Sequence, residues 1–138
     1  MGILVNTRLA NERANIVAFT GNPLRRGDPR YLVNAQAGEL AVVAAEPGVW
    51  PERVLLTVEG GAVVHIERGR GSTELDDGEW VLSDAQLRAL GASLSEIAEV
   101  YPVDADLAPT ARVLLDTEWK VDAEGRPRVK QVRPFLTD

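Results

Sequence analysis

The stretch Arg112-Val113-Leu114-Leu115-Asp116-Thr117-Glu118-Trp119-Lys120-Val121, then Asp122-Ala123-Glu124-Gly125, then Arg126-Pro127-Arg128-Val129-Lys130-Gln131-Val132-Arg133, decides how this chain is read. Apolar and polar residues alternate on both sides of an acidic, glycine-containing segment with turn chemistry. The pattern predicts a hairpin of strands Arg112–Val121 and Pro127–Arg133. Alternation sends Val113, Leu115, Thr117, Trp119 and Val121 to a core face, and Arg112, Leu114, Asp116, Glu118 and Lys120 to the other. With an even-numbered connection Val121 pairs with Arg126. Asp116 then stands opposite Gln131, Glu118 opposite Val129 and Leu114 opposite Arg133.

Upstream of the hairpin, Leu87, Leu90, Leu94, Ile97 and Tyr101 recur at helical spacing behind Ser83 and Gln86, which form a capping box. The spacing predicts a helix over Asp84–Val100. Gly91 inside it costs up to ~1 kcal/mol relative to alanine, so packing of the apolar stripe must hold the helix in place. Earlier still, β-rich runs at Gly2–Val5, Asn15–Thr20, Tyr31–Ala35, Val54–Val58 and Ala62–Glu67 are separated by Gly21-Asn22-Pro23 and Gly60-Gly61. The expected fold class is α+β, a sheet-rich lobe with one main helix. The opening in mid-strand, with no polar lead-in, suggests a preceding neighbour in a longer protein.

With 138 residues, 45% hydrophobic and 26% charged, the expectation is one globular domain over 1–138. The net charge of −6 sets up no overall attraction to nucleic acid or anionic membrane, and no apolar run approaches the ~20 residues of a spanning helix. The lack of cysteine excludes disulfides, thiolate metal sites and a cysteine nucleophile, and suits a cytoplasmic protein. His65, the only histidine, lies in a strand pattern without an orienting partner and reads as structural. Gly69-Arg70-Gly71-Ser72-Thr73 lacks the Gly-Lys-Ser/Thr of a phosphate loop and reads as a flexible loop. Trp50 and Trp80 read as packing residues.

The polar face of the hairpin collects two carboxylates, an amide and the Arg133 guanidinium. Hard carboxylate oxygens suit magnesium, and a guanidinium fork suits phosphate. Gln131 offers either an oxygen to a metal or an N–H to phosphate. The same alternation also describes a solvated outer strand face carrying ion pairs of small energetic weight.

Asp116-Thr117-Glu118-Trp119, the glycine turn at Gly125 and Lys130-Gln131-Val132-Arg133-Pro134 resemble the closing D-x-E-W/F and Q-x-R-P signature of the ATP-grasp nucleotide-binding domain of the phosphoenolpyruvate synthase and pyruvate phosphate dikinase family. Asn15-Ile16-Val17-Ala18-Phe19-Thr20-Gly21-Asn22-Pro23 is similar to that family's G-V-x-F-T-R-N/D-P segment, and Gln36-Ala37-Gly38-Glu39 stands at its G-L-G-E. The resemblance implies the C-terminal part of an ATP-grasp fold, with ATP and magnesium as cofactors. Glu118 and Gln131 would hold the metal, Arg133 would contact the transferring phosphates, and Glu39 would be a further nucleotide-binding residue. It implies a phosphotransferase moving phosphoryl from ATP to a histidine in the full-length protein. The implied partners are an N-terminal ATP-grasp lobe and a phosphohistidine domain, and a homo-oligomer is a further expectation from an uncovered cleft wall. The sequence departs from the pattern at Gly21, where the family has Arg, and at Gln36-Ala37, where it has Gly-Leu. A catalytically degenerate regulatory or interaction module of the same fold is therefore the alternative reading.

Overall fold

A computed structural model describes residues 11–43, 46–101 and 112–137. The expected strand at Gly2–Val5 and the connection between the helix and the hairpin lie outside the described residues. Six strands are formed: β1 (Ala14–Phe19), β2 (Tyr31–Ala37), β3 (Glu52–Glu59), β4 (Ala62–Arg70), β5 (Arg112–Val121) and β6 (Pro127–Thr137), with one helix, α1 (Asp84–Val100), between β4 and β5. They make one sheet in the order β4-β3-β2-β1-β5-β6, with every neighbouring pair antiparallel. The molecule is thus a sheet-rich α+β domain. No helix among the described residues is long and apolar enough to cross a membrane.

The helix covers one face of the sheet. Its Leu87, Leu90 and Leu94 are fully buried against Ile16, Val33, Val54, Leu56 and Trp119. Each such leucine contributes roughly 1.5–3 kcal/mol by leaving water. Ser83 accepts from the backbone N–H of Gln86, and the Gln86 side chain accepts from the Ser83 N–H, closing the capping box. The Gln86 amide also donates to the Gly125 carbonyl at 2.9 Å, which ties the start of α1 to the hairpin turn. At the other edge, Arg88 donates to the Val63 carbonyl at 2.6 Å, and Arg68 donates to Leu82 O and Asp84 Oδ1.

Gly91 has a packing reason. An added Cβ there would lie 2.2 Å from Val63 Cγ2 and 3.2 Å from Leu56 Cδ1, so the missing side chain lets α1 press close to β3 and β4.

Several expectations are corrected. β6 runs past Arg133 to Thr137 despite Pro134, because β6 is an edge strand and an edge can spare the ladder N–H that proline lacks. Gly69 and Arg70 complete β4, and Ser72 beyond them is buried, donating from its hydroxyl to Gln36 Oε1. That segment is pinned structure, not a flexible loop. Trp50 and Trp80 do pack, each against an arginine near the surface: they are 53% and 39% exposed, with Arg70 at 5.0 Å and Arg68 at 4.7 Å from the respective ring centroids.

The hairpin register also differs. Val121 pairs with Pro127 across a connection of odd length, and Lys130 is then skipped, so that Trp119 faces Val129 while Glu118 faces Gln131. Asp116 consequently stands opposite Arg133, and Leu114 opposite Phe135. The extra turn residue and the bulge each displace the pairing by one. A single displacement would have turned Gln131 and Arg133 to the opposite face; two together restore it.

Candidate functional site

The face of the sheet turned away from α1 carries the polar constellation. β5 is held in place from both sides. The Thr117 hydroxyl donates to Ala18 O at 2.7 Å on β1, and the Trp119 indole N–H donates to Thr117 Oγ1 at 2.8 Å. The hairpin turn is fixed by Asp122, whose carboxylate accepts from the backbone N–H groups of Glu124 and Arg126 and from the Nε of Arg126 and Arg128. These donors, the Arg126 N–H foremost, hold its carboxyl down at about 2. Gly125, at φ 82°, supplies the left-handed step that the turn requires.

On this platform Glu118 and Gln131 are direct cross-strand neighbours, with Asp116 and Arg133 forming the next such pair. Asp116 is buried and accepts from Arg133 Nε at 2.7 Å, and Glu118 Oε1 lies 3.7 Å from Arg133 Nη2. The hydrogen bond to Asp116, then its charge, raise the guanidinium pKa further above its ordinary value. Asp116 Oδ1 is buried and has no hydrogen-bond partner among the described residues. Phe135, one strand step beyond, packs edge-to-face on Phe19 with centroids 5.4 Å apart and closes that end of the face.

Glu118, Gln131 and Arg133 are therefore brought together on one face. Glu39 is exposed and lies two residues beyond Ala37, at the end of the sheet where Ala37, Ala14, Val121 and Pro127 align. Glu118 sits three positions further into β5, and no hydrogen bond or ion pair joins Glu39 to it. Arg25 and Arg26, in the turn after β1, are exposed.

Register continues the Glu118 level across the entire sheet. Gln131, Glu118, Val17, Asn34, Arg53 and Arg70 form one row, a residue from each strand. A hollow of about 700 Å³ opens over its middle and its β3–β4 end, and a smaller one of about 320 Å³ lies over Glu118, Lys120, Lys130 and Asn15. Val42 and Val43, from the segment after β2, border both. Asn34 and Arg53 carry no motif in the sequence, and Arg70 lies in the Gly69–Thr73 run that lacks the pattern of a phosphate loop. Their only signal was a polar residue recurring in otherwise apolar strands, which does not tell which strands adjoin.

The partly accessible oxygen donors of the β5–β6 end are the Glu118 carboxylate and the Gln131 amide. No group of three or more His, Asp or Glu among the described residues is placed to hold an ion. One carboxylate beside one amide oxygen nonetheless fits magnesium, which commonly takes only one or two protein ligands and fills the rest with water and phosphate oxygens. No protein-family profile and no curated protein sequence matches the chain.

Proposed function

We propose that the open face of β5 and β6 is the magnesium- and phosphate-facing half of an ATP site, in a phosphotransferase related to phosphoenolpyruvate synthase and pyruvate phosphate dikinase. The observation that carries this reading is the pairing of Glu118 with Gln131 directly beside the Asp116–Arg133 pair. Glu118 and the Gln131 amide oxygen would hold the cation, whose chemical contribution is to neutralise charge between phosphate groups. Arg133 presents its guanidinium to phosphate oxygens, and Asp116, bonded to Nε, leaves the remaining N–H groups to do so. Asp116 is thus a positioning residue.

In the full-length protein the phosphoryl group would pass from ATP to a histidine on a separate domain, with an N-terminal lobe closing the nucleotide cleft. A degenerate module of the same fold is favoured by two observations. Gly21 offers no cation where the resembled family has one, and Arg133 is already engaged by two carboxylates.

A magnesium-ATP titration of the ¹⁵N-labelled chain separates the two. The expected result is shift changes centred on Glu118, Gln131 and Arg133, abolished by chelating magnesium and weakened about tenfold or more, at least ~1.4 kcal/mol, in Glu118→Gln. Shifts indifferent to magnesium, or a Glu118→Gln variant that binds as the wild type does, would remove the nucleotide reading. The interaction-module reading would then stand.

A further inference from the structure

At the opposite end of the row from Gln131, Arg53 and Arg70 stand directly across from each other on β3 and β4. Arg53 donates from Nε to Asn34 Oδ1 at 3.2 Å, and Arg70 donates from Nε to Pro51 O at 3.3 Å. Neither has an ion-pair partner among the described residues; the exposed Arg13, Arg25, Arg26 and Arg88 also lack one, but the other half-buried arginines, Arg30 and Arg68, are both paired. In a chain with 21 acidic and 15 basic residues, two adjacent, half-buried guanidinium groups without a carboxylate are conspicuous. Burial, then the neighbouring Arg53 charge, lower the Arg70 pKa, which is the signature of a cation lacking a counter-ion. Glu46 borders the same hollow but pairs with neither arginine.

The rest of the hollow is apolar. Val17, Phe19 and Val49 line it, and Trp50 stands at its rim beside Arg70. The Trp50 N–H donates to Thr73 Oγ1 at 2.9 Å, and Trp50 O accepts from Thr73 N at 3.1 Å, so this wall is anchored to the segment after β4. Arg53 is three strands from Glu118, about 14 Å at the usual strand spacing, so an anion held there is not one held at Glu118.

We propose that the Arg53–Arg70 end of this hollow binds a small aromatic anion, with its phosphate or carboxylate head on the two guanidinium groups and its ring against Trp50 and the Val17–Phe19 wall. Guanidinium forks pair with such heads bidentately, and a ring buries apolar surface that the head alone does not. The proposal stands whether or not Glu118 serves a nucleotide.

The test is a titration of the ¹⁵N-labelled chain with 1-naphthyl phosphate, 1-naphthol and inorganic phosphate, following the Trp50 indole N–H and the Nε–H of Arg53 and Arg70. Naphthyl phosphate should shift these three resonances and bind at least about tenfold more tightly than either fragment. Arg53→Gln and Arg70→Gln should each lose that preference for the phosphate ester over the naphthol, Arg53→Lys should keep part of it, and Glu118→Gln should leave it intact. Equal binding of naphthol and naphthyl phosphate to the wild type would overturn the proposal, a comparison that needs no variant to fold. Shifts centred on Glu118, Gln131 and Arg133 would do the same.

Discussion

The two faces of the sheet are built from alternate residues of the same strands, yet different physics holds each. Toward α1, Ala14, Ile16, Ala18, Trp119 and Val121 are buried among the helix leucines, and close packing sets the geometry. On the open face, Val17, Asn34, Glu118 and Gln131 remain partly accessible, and ion pairs and register set the geometry instead. The contrast teaches where each kind of substitution should register: stability on the helix side, ligand recognition on the open side.

The sharpest way to break that division is Gly91→Ala. Helix propensity alone would favour alanine by about 1 kcal/mol. A Cβ 2.2 Å from Val63 Cγ2, however, forces overpacking that costs about 1–3 kcal/mol beyond ordinary strain, because the neighbour lies on an ordered strand. Urea denaturation should show a net loss of up to about 2 kcal/mol; a raised midpoint would mean that the two surfaces are not tightly apposed.

A smaller effect belongs to the turn that joins β5 and β6. Asp122 is held at about 2 against an ordinary 3.8, and Asp28 is held low as well, chiefly by the hydrogen bond from Arg30. Folded values below the unfolded ones mean that both carboxylates stabilise the native state fully above the ordinary aspartate range. That contribution fades as pH falls through the folded values. Thermal melts between about pH 5 and pH 2 should therefore show declining stability, with a shallower decline in Asp122→Asn. An equally steep decline in that variant would assign the acid sensitivity elsewhere.

The smallest stability effect is expected on the open face itself. The Glu118 side chain is 47% exposed and its contact with Arg133 is long, so Glu118→Gln should move the unfolding free energy by no more than about 0.5 kcal/mol while weakening magnesium-ATP binding about tenfold. A large loss of stability would make Glu118 a structural residue and blur the comparison.

Much of the architecture was legible because its signals are local. The helix occupies Asp84–Val100 as its spacing indicated, and the Ser83–Gln86 box is formed, since capping depends on residues within one turn. The first hairpin strand was legible over Arg112–Val121 for the same reason. The pairing of the hairpin was not, because neither the odd connection nor the bulge at Lys130 has a compositional mark that separates it from its alternatives. Glu118, Gln131 and Arg133 share a face as their alternation suggested, but with partners shifted by two positions. The Arg53–Arg70 pair depended on β3 meeting β4 with a register irregularity next to Arg53, and the buried Ser72 hydroxyl donates to Gln36, which is distant in sequence.

Among the described residues, then, the sequence by itself determined the order and kind of the elements, the apolar stripe of α1 and the side of β5 that faces it, because periodicity and capping act between residues a few positions apart. Tertiary structure decided which strands adjoin, which carboxylate meets Arg133, and that a row of residues from six strands ends in paired arginines. Those choices rest on contacts between segments far apart in the chain, where the free energy of a register is set by the whole sheet closing on its core and no local pattern records the result.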